Sequence, residues 1–146
     1  MKKFYCMLVC LIMASAMAFA DGNADKICGT YKVVRNGVTS KVKIFSHAGG
    51  YRAQVMWVDN LKKEDGSIRT DEKNPDKSKR NVQADKIVLI DKVTYNEKEN
   101  KWENGNIYDP TKGKTYKVKL WFESDKVLKM RGYIGPFYDT SEWIKQ

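Results

Sequence analysis

Short runs of alternating apolar and polar residues, each followed by a turn signal, fill the sequence from residue 27 to its end. Alternation with a period of two is typical of β-strands that bury one face, and no stretch shows sustained helical spacing. We predict strands over residues 29–35, 38–45, 51–58, 86–95, 101–109, 114–122, 127–134 and 138–145. The fold class is therefore predicted to be all-β.

The turn between the first two predicted strands is Asn36-Gly37, the dipeptide that best tolerates the positive φ angles of a tight hairpin. In the second strand Val42 and Ile44 share one face, whereas Lys41 and Lys43 share the other, so one side is buried and one is wet. About eight such antiparallel strands can close into a single barrel that holds side chains or one small ligand. A two-layer sandwich is the alternative.

Residues 59–85 interrupt this pattern with one long polar loop, and loops of that length are usually functional or disordered. Asp71, Asn74 and Asp76 place three oxygen donors close together, as a Ca²⁺ site would. No glycine stands where a calcium loop turns sharply and no bidentate Glu follows at the right distance, and Lys73, Lys77 and Lys79 would repel a cation. We therefore interpret the three residues as turn caps in contact with Arg80, and we predict no metal site.

The first 20 residues have the layout of a secretory signal peptide. Lys2 and Lys3 precede an apolar run over 4–13, and Ala18-Phe19-Ala20 provides small residues for cleavage before Asp21. The run is short for a membrane span, which disfavours the alternative of an uncleaved anchor. We predict a cleaved signal helix (1–20) and an exported β-barrel domain (21–146), periplasmic or extracellular and not integral to the membrane.

Few residues suit catalysis. Cleavage would leave Cys28 as the only cysteine, so one thiol and His47 cannot make a three- or four-ligand zinc site. His47 lies in a Gly-rich turn with no recognisable nucleophile motif nearby. Convergent carboxylates would still allow a hydrolase, the least supported hypothesis. We predict a protein that is not an enzyme and needs no cofactor.

The chain is basic, with 27 Lys and Arg against 18 Asp and Glu. Lysines interleave with aromatic residues, as on nucleic-acid-binding faces, but they are spread over several strands and the loop. An exported protein meets anionic lipid head groups before it meets nucleic acid. We therefore expect an anionic envelope surface as a partner and no nucleic acid.

Four segments carry a family pattern: Gly-Thr-Tyr at 29–31, Asp-Glu-Lys-Asn-Pro-Asp at 71–76, the block from Gly105 to Tyr116, and Met-Arg-Gly-Tyr-Ile-Gly at 130–135. Together they resemble the small exported bacterial proteins of domain-of-unknown-function family 2147, over nearly all of residues 21–146. The resemblance implies a calycin-like, lipocalin-related barrel in the cell envelope, and it implies no established activity.

Two positions depart from that family's pattern. Tyr31 stands where such proteins usually carry Trp, and no Arg-containing segment precedes the final Trp143. Arg131 is therefore expected to provide the cation that stacks on Trp143 or Tyr31 to close the barrel.

Asp109-Pro110 followed by Gly113 is first of all a turn. The functional alternative places Tyr108, Asp109 and Tyr116 at one barrel mouth, where they would orient a polar ligand.

We therefore expect a non-enzymatic exported barrel that binds a small or lipid-like molecule in its interior or at its mouth. The residues expected to line or close the barrel are Tyr31, Trp57, Tyr108, Asp109, Tyr116, Arg131, Tyr133 and Trp143. The alternative is a filled barrel that docks on a protein or an anionic envelope surface through the 59–85 loop. An open interior favours the first hypothesis and a packed core the second.

Overall fold

Eight strands form where the alternating pattern predicts them. The computed structural model describes residues 23–146, so the predicted signal peptide lies outside the described residues. The strands are β1 (Gly29–Arg35), β2 (Val38–His47), β3 (Gly50–Val58), β4 (Val88–Asn96), β5 (Lys101–Asp109), β6 (Lys114–Phe122), β7 (Val127–Ile134) and β8 (Phe137–Lys145). Short 3₁₀ turns occur at Asp25–Ile27, Lys77–Lys79 and Ala84–Lys86. Within residues 23–146, no helix has the length and apolar character that a membrane crossing requires.

Each strand pairs antiparallel with the next, and β8 pairs back onto β1, so the sheet closes into a barrel. The prediction of a single antiparallel barrel is confirmed, and the sandwich alternative was wrong. The seam between β1 and β8 joins only three residue pairs, from Tyr31–Lys145 to Val33–Trp143. By contrast, β1 and β2 pair over their full length, because Asn36 and Gly37 adopt the positive φ angles that their tight turn needs.

Because successive strands run in opposite directions, the connections divide between two ends of the barrel. We call one end the mouth; it carries the turns at 36–37, 110–113 and 135–136 and the long loop at 59–85. We call the other end the base; it carries the turns at 48–49, 97–100 and 123–126 and the 3₁₀ turn Asp25–Ile27.

The base half of the interior is packed. Its fully buried side chains include the largest of the core: Tyr31, Val42, Ile90, Val93, Trp102, Leu120 and Leu128. The 3₁₀ turn closes this end, because the Tyr31 hydroxyl donates to the Ile27 carbonyl at 2.7 Å and Trp102 Nε1 donates to the Ala24 carbonyl at 3.0 Å. The base is therefore plugged by the chain itself.

The long polar loop folds back over the mouth. Two isolated antiparallel bridges, Lys62–Ile68 and Thr70–Gln83, give it a short internal ladder. The Asp71 amide also donates to the Val82 carbonyl at 2.9 Å. These backbone bonds give the loop a defined shape over the mouth of the barrel.

Candidate ligand cavity at the mouth of the barrel

The mouth half of the interior contains a cavity of about 340 Å³. We call it the mouth cavity. Its wall is mainly apolar. Trp143 forms the floor, and the inward positions near this end carry medium-sized apolar side chains: Val33, Val55, Ile87, Leu89, Ile107 and Met130. The cavity volume lies at the lower end of the range for small-ligand sites, roughly 300–1,000 Å³.

The wall also has polar positions: the hydroxyls of Ser40 and Ser141, and the charged Arg69, Lys63 and Glu72 of the long loop, the last two paired with each other at 2.6 Å. Ser40 Oγ makes one long hydrogen bond, donating to the Val33 carbonyl at 3.5 Å. Ser141 Oγ is buried and has no hydrogen-bond partner within residues 23–146. Since a buried hydroxyl without a partner is unfavourable, a polar group inside the cavity would stabilise this position.

Arg35 and Asp109 form an ion pair at the rim of the cavity, with Arg35 Nη2 3.1 Å from Asp109 Oδ2. Asp109 is buried, and its other oxygen accepts from the Thr111 amide at 2.9 Å and the Thr111 hydroxyl at 2.6 Å. Asp109 thus caps its own turn and anchors Arg35. The Arg35 side chain remains 42% exposed and keeps further N–H donors toward the cavity.

Tyr108 fastens the long loop to β5. Its hydroxyl donates to Asp71 Oδ1 at 2.7 Å, and Asn74 Nδ2 donates to the other Asp71 oxygen at 2.8 Å. Burial, followed by the hydrogen bond to Asp71 and the nearby negative charges, raises the pKa of Tyr108 above its ordinary value of 10.0. The phenol therefore stays protonated and remains a donor. Lys73 adds a second attachment by donating to the Thr111 carbonyl at 2.8 Å.

The three oxygen-donor residues of the loop serve its local structure. Asp71 and Asn74 bond to each other, whereas Asp76 accepts from the Ser78 amide at 3.0 Å and the Ser78 hydroxyl at 2.6 Å. The expected contact with Arg80 is present, since Arg80 Nε donates to the Asn74 carbonyl at 2.8 Å. In the described part of the chain, no cluster of three or more His, Cys, Asp or Glu residues could hold a metal ion.

A second pocket of about 250 Å³ lies between the 110–113 turn and the β7–β8 hairpin. We call it the side pocket. Its wall includes Tyr116, Gly132, Phe137 and Tyr138. It shares Arg35, Ile107, Tyr108, Asp109 and Met130 with the mouth cavity. The two spaces are therefore neighbours separated by the Arg35–Asp109 pair and the Tyr108 ring.

Five of the eight predicted lining or closure residues lie inside the barrel or at its mouth. Tyr108 and Asp109 line both spaces, Tyr116 lines the side pocket and Trp143 lies at the cavity floor. Tyr31 packs below the floor, its ring centroid 6.3 Å from that of Trp143. Tyr31 therefore belongs to the packed base.

The prediction was wrong for Trp57, which is 46% exposed on the outer face, where Lys41 Nζ lies 5.6 Å from its ring centroid. The β2–β3 register shifts between Lys41 and Val42, so that Lys41 pairs with Trp57 but Val42 pairs with Val55. This irregularity breaks the alternation of β3 and turns Trp57 outward.

The predictions for Arg131 and Tyr133 were also wrong. Met130 points inward, so both residues face outward by the alternation of β7. The Arg131 guanidinium carbon lies 4.2 Å from the Tyr138 ring centroid and 5.0 Å from that of Trp121, and the expected stacking on Trp143 or Tyr31 does not occur.

Comparison with known proteins agrees with this geometry. The model of a family described as "Uncharacterized protein conserved in bacteria (DUF2147)" matches residues 29–145. The chain belongs to the DUF2147 family. This confirms the resemblance found in the sequence.

The fold of this DUF2147 chain is similar to that of protein HP1028 from the human pathogen Helicobacter pylori, described as belonging to the lipocalin family. The two structures share a TM-score of 0.67 and 25% sequence identity, and the match covers 82% of each chain. No curated protein matches the sequence. The protein is thus a lipocalin-like barrel of an uncharacterised family, an architecture consistent with ligand binding in general.

Sequence reasoning missed two polar residues of this DUF2147 cavity, Arg35 and Ser141. Arg35 shares its strand face with Val33, two residues earlier, so the alternation of β1 could have placed it at the mouth. Ser141 precedes Trp143 by two residues and lies on the same inward face of β8. Neither residue carries a motif, and their roles depend on the register of the closed barrel.

Proposed function

We propose that this DUF2147 protein is a non-enzymatic binding protein that holds one small amphipathic molecule in the mouth cavity. The observation that carries the proposal is the division of the interior: large side chains pack the base half, whereas the mouth half contains about 340 Å³ of space behind an apolar wall. A barrel interior of this kind shields the apolar part of a guest from water.

The polar groups define the chemistry of the guest. Its apolar body would contact residues such as Val55, Ile107 and Met130, and its head would lie near Arg35 and Ser141. Arg35 uses one amino group on Asp109 and has others to offer, while Ser141 Oγ lacks a partner among residues 23–146. Both favour a hydrogen-bond acceptor, best a carboxylate or a phosphate. The cavity volume favours a single short chain over a two-chain lipid.

The contacts of the titratable residues support binding rather than catalysis. The carboxylates of Asp71 and Asp109 are engaged by Tyr108, Asn74, Thr111 and Arg35. Burial, and to a lesser extent the charge of Asp25, raises the pKa of Cys28 and thereby weakens it as a nucleophile.

We infer export to the periplasm or the cell exterior from the sequence of residues 1–20.

The position of the long loop favours this function over the alternative of a filled barrel that docks through the loop. Thr70, Glu72 and Ala84 of that segment line the mouth cavity, and Tyr108 and Lys73 attach it to β5 and its turn. The loop therefore acts as part of the cavity wall.

A matched pair of variants tests the proposal. Decanoate and decanol are titrated into the purified full chain by calorimetry, and the titration is repeated on Val55→Trp and Met56→Trp. Val55 lines the cavity, whereas its neighbour Met56 is exposed on the outer face. We expect Val55→Trp to weaken decanoate binding by at least about ten-fold and Met56→Trp to leave it unchanged.

Arg35→Met tests the polar head, because it should weaken decanoate binding by about ten-fold and decanol binding much less. Circular dichroism and thermal unfolding show whether each variant is folded. If Val55→Trp does not fold, Ser141→Leu fills the same cavity from β8 and serves in its place. Absence of binding to the wild type, or equal binding by the cavity-filled variant and Met56→Trp, would overturn the proposal.

A further inference from the structure

The tip of the β7–β8 hairpin is apolar and exposed. Ile134, Phe137 and Tyr138 are 54%, 76% and 61% exposed, and only Gly135 and Pro136 separate the two strands. Large apolar side chains grouped on a surface are typical of sites that contact a membrane, a ligand or another protein.

Below the tip, the outer face becomes first aromatic and then cationic. Tyr133 and Tyr138 pair across the hairpin with ring centroids 6.1 Å apart. One step further from the tip, Arg131 lies over the rings of Tyr138 and Trp121. This order of apolar tip, aromatic row and cationic row is the order in which a bilayer presents acyl chains, interface and head groups.

Lysines of β6 extend the cationic row. Lys117 pairs with Tyr133 and Lys119 pairs with Arg131 in the β6–β7 register. From residue 111 to residue 146 the chain has eight Lys and Arg against four Asp and Glu. The 59–85 loop has seven of each, so the hairpin side carries a surplus of positive charge that the loop does not. Residues 23–58 are also basic, with six Lys and Arg against one Asp, but their turns at 36–37 and 48–49 carry no large apolar side chain. The apolar tip together with the charge, and not the charge alone, therefore distinguishes the hairpin face as one that complements an anionic bilayer.

We propose that the β7–β8 hairpin docks this protein on an anionic lipid bilayer, with Ile134 and Phe137 inserted and the mouth turned toward the membrane. Phe137 and Tyr138 also form part of the side pocket, which adjoins the mouth cavity. Docking would therefore bring the opening of the cavity to the lipid surface. This orientation rests on the proposed function, since an amphipathic guest would enter from and return to the bilayer.

Position-specific fluorescence quenching tests the docking. Phe137→Trp and Met56→Trp are made in the full chain, so that any contribution of residues 1–22 is the same in both. Met56 lies on β3, four strands from β7 in the eight-stranded barrel, and is also exposed. Each variant is mixed with vesicles of about 30% phosphatidylglycerol in phosphatidylcholine brominated along its acyl chains, and with unbrominated controls.

We expect the emission of the introduced Trp to fall at least about two-fold on brominated anionic vesicles when it stands at residue 137 and to be unchanged when it stands at residue 56. On neutral vesicles the two positions should behave alike. Equal quenching at the two positions, or none at residue 137, would overturn the proposal.

Co-sedimentation provides a second measurement. Ile134→Glu/Phe137→Glu should lower the partition onto anionic vesicles by about ten-fold relative to wild type, whereas Met56→Glu should not. Sedimentation velocity tests whether the hairpin contacts a second copy of the chain instead. If the wild type is a dimer that the double variant dissociates, and neither protein binds vesicles, the lipid proposal is wrong. Decanoate binding in solution is measured separately, so a failure of docking and a failure of ligand binding are distinguishable.

Discussion

Replacing Tyr108 by Phe removes one hydroxyl and leaves the ring in place. The hydroxyl donates to Asp71 Oδ1 at 2.7 Å, and Asp71 is only 3% exposed, so water does not readily replace the lost donor. A hydrogen bond to a charged group contributes about 1.5–3 kcal/mol. Asn74 continues to donate to the other oxygen. We therefore expect Tyr108→Phe to lower the free energy of unfolding by about 2 kcal/mol.

The same loss can be expressed as a melting temperature. The entropy of unfolding is about 2.1 cal/mol/K per residue, which gives about 0.26 kcal/mol/K for residues 23–146. A loss of about 2 kcal/mol then lowers Tm by roughly 8 °C. Urea unfolding followed by tryptophan fluorescence gives the free energy, and limited proteolysis within residues 59–85 reports whether the loop is released before the barrel unfolds.

The control is Tyr138→Phe, which removes a hydroxyl from an exposed ring. It should change stability by less than about 0.5 kcal/mol. If Tyr108→Phe is no more destabilising than this control, the Tyr108–Asp71 bond does not hold the loop. A double-mutant cycle with Asp71→Asn then separates the pair interaction from effects on either residue alone.

Two further predictions concern the same region and the alkaline limit of stability. A Cβ at Gly113 (φ +65°) would lie 2.2 Å from the Lys73 carbonyl oxygen, whereas at Gly135 (φ +54°) it would meet open space. Gly113→Ala should therefore cost about 2 kcal/mol more than Gly135→Ala in urea unfolding, and equal costs would contradict the contact between loop and turn. Burial raises the pKa of Tyr31 as it does that of Tyr108, so folding favours both protonated phenols. The two phenols contribute fully to the free energy of unfolding below about pH 10, and this contribution is lost as the pH rises above that value. Between about pH 9 and 11 the wild type should therefore lose more stability than Tyr31→Phe or Tyr108→Phe.

Most of the fold was predictable because it depends on local signals. The alternation of apolar and polar residues located all eight strands, and Asn36-Gly37 fixed the first hairpin. Barrel closure followed from strand number and the need to cover edges. The resemblance carried by the segments around Tyr108 and Arg131 implied the same architecture; the family match confirms the resemblance, and the closed sheet confirms the barrel.

The errors in the site have two physical causes. Trp57 was misplaced because the register shift at Lys41 and Val42 arises from long-range pairing, which a local pattern does not reveal. Arg131 was misplaced although its strand gave the answer: Lys129 and Arg131 share one face, and Met130 lies on the other. The expected cation–π contact with Trp143 or Tyr31 conflicts with this alternation.

The cavity itself could not be predicted from the sequence. It exists because Tyr31 and Trp102 fill the base while Val33, Val55 and Ser141 leave space near the mouth. Which side chains share a layer of a barrel depends on the stagger between strands. That stagger follows from the register of every strand pair, and no single segment contains it.

The three-pair seam between β1 and β8 is the contact that closes the barrel. Every other strand pair joins neighbours in the chain, six of them through turns of two to four residues and β3–β4 across residues 59–87, so each closes a shorter segment than the seam does. The seam brings together residues more than a hundred positions apart, from Tyr31–Lys145 to Val33–Trp143, and gains few backbone bonds in return. Closing the seam therefore costs more loop entropy than closing any other strand pair, and we expect it to be the last contact made on folding and the first broken on unfolding.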